Sequence, residues 1–91
     1  MRTVDEVRHI YEKAKELMDE REKDYNNSWV DEGLACMVGS LYKKASQIRV
    51  MFESGRFREN GERTKEDILD LINYAVFTYR LIEREEEVSR I

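Results

Sequence analysis

Proline is absent from the 91 residues, and glycine occurs only four times. Little therefore interrupts a helix, and the breaks should fall at the few glycine and asparagine clusters. Cys36 is the only cysteine, which excludes an internal disulfide and a cysteine-based zinc cluster. Leu34, Ala35, Met37 and Val38 surround it, so a buried, inert thiol is expected. His9 is the only histidine and lies in a charged stretch, which argues against a histidine-activated nucleophile. No apolar run approaches the roughly 20 residues of a membrane span, and the first residues, Met1 to Glu6, lack the features of a signal peptide. The expectation is a cytoplasmic protein with no membrane partner. The Asn26-Asn27-Ser28 sequon is accordingly read as chance. Positive charge is not in excess: 16 Lys and Arg stand against 20 Asp and Glu, for a net charge of −4. That balance argues against a duplex nucleic-acid binder, yet leaves room for a local basic pocket that takes one phosphorylated molecule.

Charged residues of both signs make up 40% of the chain and alternate along it, as on helices with solvated outer faces. Val4, Val7, Tyr11, Ala14 and Met18 recur at spacings of three and four, predicting a first helix. Its start is assigned to a Thr3–Glu6 capping box and its end to the neighbourhood of Lys23. A polar connector from Asp24 to Trp29 leads to a second stripe, Leu34, Met37, Val38, Leu41, Ala45, Ile48 and Phe52. Ser28 and Asp31 are its candidate caps, Gly39-Ser40 a candidate bend, and Ser54-Gly55 the stop. Residues 56–63 read as an exposed arginine-bearing loop. Thr64 and Asp67 then open a third helix, and the acidic stretch Glu83–Glu87 is expected to fray.

The third helix is unusual. Ile68, Ile72, Ala75, Tyr79 and Ile82 make one apolar face, while Tyr74, Phe77 and Leu81 lie on roughly the opposite one. A helix apolar on two sides is covered on two sides. In so short a chain the second cover is expected to come from another copy. The reading is thus an all-α single domain over residues 1–91, a small bundle of three to four helices completed by homo-oligomerisation.

Polar residues at core-facing positions are the candidates for chemistry. Asp70 and Asn73 fall on the Tyr74–Phe77–Leu81 side, with Glu66 one turn earlier. A carboxylate among apolar neighbours is costly unless paired, hydrogen-bonded or metal-bound. Two readings follow: a structural salt bridge, or a Mg²⁺ site supplied by Glu66, Asp67 and Asp70. Lys44 and Arg49 flank the second stripe and are read either as cations whose stems cover the core or as phosphate ligands. Tyr25 and Trp29, four residues apart, either cap the core or stack on a base.

Taken together and in order, Lys23-Asp24-Tyr25-Asn26-Asn27-Ser28-Trp29, Ser40-Leu41 with Lys44 and Arg49, and the helix Glu66-Asp67-Ile68-Leu69-Asp70-Leu71-Ile72-Asn73-Tyr74-Ala75-Val76-Phe77 resemble the nucleotide modification associated domain 1 family of phages and bacteria. The resemblance covers roughly residues 8 to 83. It implies a link to phage nucleotide metabolism. The chain is more distantly similar to MazG-type all-α nucleoside triphosphate pyrophosphohydrolases, which bind Mg²⁺ through acidic pairs on two helices. Here Asp67 and Asp70 match the later pair, but Leu41-Tyr42-Lys43-Lys44-Ala45 holds no acidic pair. The expected function is binding a nucleotide or related phosphorylated ligand, with sequestration of a nucleotide or nucleotide signal as one consequence. Tyr25 and Trp29 would meet the base, Lys44 and Arg49 the phosphate, and Asp70 and Asn73 would orient the site, with Asp67 and Asp70 the candidate metal ligands. The alternatives are a Mg²⁺-dependent pyrophosphohydrolase or nucleotide-modifying enzyme, and a small inhibitor of a host protein.

Overall fold

The computed structural model describes residues 2–25 and 28–89, the side chains of 23–25 excepted. Among these residues the chain is all helical. Helix α1 spans Thr3–Tyr25, α2 Ser28–Glu53 and α3 Gly61–Ser89, with a single 3₁₀ turn at Arg56–Arg58 between the last two. None of these helices is long and apolar enough to cross a membrane.

Helix boundaries follow side-chain chemistry, though not always at the residues the sequence suggested. The N-terminal exchange at α1 lies one residue earlier than Thr3–Glu6: the backbone N–H of Arg2 donates to Asp5 Oδ2 at 3.2 Å, and the Arg2 carbonyl accepts from the N–H of Asp5. At α3 the cap is Asn60, whose Oδ1 accepts from the N–H of Arg63 at 3.4 Å. Thr64 is therefore already inside the helix, and Asp67 is freed for another role. The stop after α2 falls as expected at Gly55, whose φ of 77° suits a residue without a Cβ. The bend in α2 does not fall at Gly39-Ser40. It is at Gly33, with φ 85° and ψ 173°, a conformation open essentially only to glycine. The acidic stretch Glu83–Glu87 stays helical in α3, where Arg80 pairs with Glu83 at 2.6 Å.

The Gly33 kink sets the topology. Before it, the short run from Ser28 lays Trp29 on Phe77 of α3. After it, Gly33 and Leu34 lie beside Leu81, Arg84 and Val88, and Lys44 reaches Asp67 and Asp70. The long part of α2 therefore runs antiparallel to α3. Helix α1 is also antiparallel to α3, because Ala14 meets Asn73 while Arg21 meets Asp70 and Glu66. The apolar core among the described residues is thin: Ala14, Met37 and Leu81 are buried, and no large side chain is fully enclosed. Asp67, Asp70, Asn73 and Thr78 are buried with them.

Candidate functional site

Asp67 and Asp70 face inward on α3 and are each about 5% exposed. Left unpaired there, two carboxylates would be strongly destabilising. Cations from the other helices meet them. Lys44 Nζ sits 3.2 Å from Asp67 Oδ1 and 3.0 Å from Asp70 Oδ2. Arg21 of α1 donates to Asp70 with one guanidinium nitrogen and to Glu66 with another. Arg63, one turn before Asp67, approaches it at 4.0 Å. Three cations thus balance three carboxylates, and one residue on each of α1 and α2 is tied to α3. Every buried side-chain nitrogen and oxygen among the described residues has a hydrogen-bond partner. Burial works against the Lys44 charge. The hydrogen bonds to Asp70 and Asp67, backed by both negative charges, outweigh it and raise the ammonium's pKa above the ordinary lysine value.

Below this layer Asn73 donates through Nδ2 to the carbonyl of Ala14 at 3.0 Å, a buried pin between α3 and α1. Thr78 donates to the carbonyl of Tyr74 within its own helix.

Two cavities flank the ion layer. The smaller, about 230 Å³, is walled by Trp29, Tyr74, Phe77, Met18 and Met37, with Glu22 and Glu32 among its polar groups. Trp29 stacks on Phe77 with ring centroids 4.8 Å apart and planes 8° from parallel, and the guanidinium of Arg84 lies 5.3 Å from the indole centroid. The larger is an open cleft of about 730 Å³ between α2 and the 56–63 segment, where the cations Lys43, Arg56 and Arg63 outnumber the carboxylates Glu59 and Asp67 and stand beside Asn60 and Gln47. Cys36 and Ser40 border the first cavity, Lys43 and Gln47 the second. Their spacings of four, three and four put all four on one face of α2, so the two cavities follow each other along that face.

Of the residues singled out in the sequence, the structure brings Lys44, Asp67 and Asp70 together. Asn73 is spent on the Ala14 carbonyl, and Trp29 forms a cavity wall. Arg49 lies elsewhere: it is exposed and pairs with Glu53 at 2.8 Å. The side chain of Tyr25 is outside the described residues. Cys36 is not buried but exposed, because it stands at the rim of the Trp29 cavity, one position round the helix from the buried Met37. Sequence reasoning missed Arg21, which sits in the charged run Glu20-Arg21-Glu22 and reads there as solvated. Its phase offered a signal, since Ala14, Met18 and Arg21 recur at spacings of four and three. As for a metal, among the described residues no group of three or more His, Cys, Asp or Glu side chains is placed to hold one. The position between Asp67 and Asp70 is filled by the Lys44 ammonium, so this arrangement does not fit a dication unless Lys44 withdraws.

Fold and site together define a small helical domain whose interior is braced by a charge-balanced layer and whose α2 face offers an aromatic cavity and a cationic cleft. Residues 21–83 match the nucleotide modification associated domain 1 family, and the chain belongs to that family. No curated protein and no solved structure matches it.

Proposed function

We propose that the domain binds a nucleotide along one face of α2, with the base in the Trp29–Tyr74–Phe77 cavity and the phosphates in the cleft lined by Lys43, Arg56 and Arg63. The observation that carries this reading is the succession of an aromatic cavity and a cationic cleft on one helix face, Cys36-Ser40-Lys43-Gln47. Residues 36 to 47 span about 16 Å of helix, a length that suits a base, a sugar and a short phosphate chain. The aromatic cavity is smaller than the roughly 300–1,000 Å³ of a site that encloses a whole drug-sized ligand. It suits a flat ring, with the remainder of the ligand lying outside. Family membership supports a nucleotide as the ligand class. Lys44 serves the carboxylates in this reading, and exposed Arg56, with Arg63 turning to the ligand from its 4.0 Å approach to Asp67 at the edge of the ion layer, serves the phosphate, for which arginine's planar fork is well matched.

The test is calorimetric titration of nucleosides and their mono- and triphosphates, with and without Mg²⁺. Trp29→Ala should weaken binding about fivefold to a hundredfold, the worth of about 1–3 kcal/mol for one stacked base. Arg56→Ala and Arg63→Ala should weaken the phosphorylated ligands and leave nucleosides unaffected, with a loss that shrinks as salt is added. Arg49→Lys should change nothing. Binding that ignores Trp29→Ala would overturn the reading. Turnover that requires Mg²⁺ would favour the pyrophosphohydrolase, with Asp67 and Asp70 exchanging Lys44 for the metal. Absence of any binding, with a host protein held tightly, would favour the inhibitor.

A further inference from the structure

The face of α3 that looks away from α1 and α2 is apolar and bare. Ile68, Ala75, Tyr79 and Ile82 are exposed along it, Tyr79 at 67%. Half-buried Ile72 joins this stripe to Val7, Ile10 and Tyr11 of α1, and the four line a groove of about 390 Å³ with Glu6. Val7 is itself 63% exposed.

We infer that this face is the interface of a two-fold symmetric dimer, in which α3 packs antiparallel on α3 of a second copy and each Tyr79 enters the groove around the other copy's Ile72. Three observations select a second copy as the occupant. The first is area. The chain exposes 7213 Å², whereas a compact monomer of 10.9 kDa exposes about 5,600 Å². The excess is about twice the roughly 800 Å² that each partner contributes to a standard interface. The radius of gyration, 15.0 Å, likewise exceeds the ~12 Å of a compact chain this long.

The second observation is the thinness of the core. With only Ala14, Met37 and Leu81 as buried apolar residues among those described, the fold calls for permanent cover, and the partner present wherever the chain is made is the chain itself.

The third is self-complementarity. A two-fold axis perpendicular to α3, passing between the two copies level with Ala75 and Val76, sets Ile72 against Tyr79, and it sets Lys65, which also pairs with Glu62 of its own helix at 3.3 Å, against Glu86. Lys65 and Glu86 are both exposed and lie at opposite ends of the bare face. Residues paired this way meet reciprocally, as a two-fold interface requires. The small Ala75 at the axis lets the two helices approach closely.

The experiment is sedimentation and light scattering on the wild type and on Ala75→Glu, Lys65→Glu, Glu86→Lys and the last two combined. The wild type should have twice the chain mass and a Tm that rises with protein concentration. Ala75→Glu should give the single-chain mass, or a lower Tm that depends on concentration more steeply. Each single charge reversal should shift the equilibrium toward monomer, and the double reversal should restore it, which tests the antiparallel register. Circular dichroism separates dissociation from unfolding: a variant that only dissociates keeps its helical signal, and where Ala75→Glu loses it the charge reversals at the exposed Lys65 and Glu86 carry the test. A monomeric wild type at roughly 50 μM, an assembly with an odd number of chains, or an Ala75→Glu variant that keeps the wild-type mass would each overturn the inference. None of these readouts involves a nucleotide, so they stand or fall separately from the ligand reading.

Discussion

Among single residues, Lys44 has the most to hold together. It neutralises two buried carboxylates at once, so removing it leaves Asp67 with only the distant Arg63. Lys44→Met, which keeps the length of the stem, should destabilise the fold by about 3 kcal/mol, as expected when one partner of a buried pair is removed; urea unfolding at neutral pH measures it. The same residue sets an alkaline limit. Its pKa is higher folded than unfolded, so its contribution is complete below the ordinary lysine value and is lost as pH rises through the raised one. The stability gap between wild type and Lys44→Met should therefore be widest near neutrality and narrow in strong alkali. Asp70 and Asn73 were legible in the sequence as polar residues on one of the two apolar faces of a helix. Their partners were not: a cation such as Arg21, flanked by glutamates, looks the same in sequence whether it faces water or a carboxylate 49 residues further on.

At the scale of helices, the two glycines of α2 separate by conformation. Gly33 occupies a region closed to residues with a Cβ, whereas Gly39 is helical, with open space where a Cβ would stand. Gly33→Ala should cost about 1–3 kcal/mol. Gly39→Ala should stabilise by about 0.5–1 kcal/mol, because alanine gives up less chain entropy in a helix. Thermal unfolding of the two variants, moving in opposite directions, is the check; equal shifts would mean that Gly33 is not the hinge. The sequence announced both glycines but not which one bends. A glycine is permissive everywhere, and the choice is made by the need to lay Trp29 on Phe77 before α2 turns down α3. Element existence was readable because apolar residues repeat every three or four positions. The caps were displaced by one to four residues, since Arg2, Asp5 and Asn60 compete with Thr3, Glu6 and Thr64 for the same backbone groups, and short-range sequence offers several nearly equal solutions.

For the molecule as a whole, the all-helical bundle followed from the absence of proline and the three apolar stripes, and the doubly apolar α3 was evident from its phases. Which of its two faces turns inward was not, because both are apolar; the buried Asp67, Asp70 and Asn73 mark the inner one only once Arg21 and Lys44 are in place. The turn and first residues leading into it, 56–65, carry Arg56, Arg58, Arg63 and Lys65 against Glu59 and Glu62, while 83–87 carry Glu83, Glu85, Glu86 and Glu87 against Arg84. These charges have the same sense as the peptide dipoles of the helix, positive at the start and negative at the end, so they add to its axial moment instead of offsetting it. An isolated chain then carries an electric moment on α3 whose backbone part is opposed by the antiparallel α1 and α2 and whose end charges add to it. A two-fold axis across the helix cancels that moment by symmetry, so dielectric dispersion of the solution should fall on pairing even as the mass of the particle doubles.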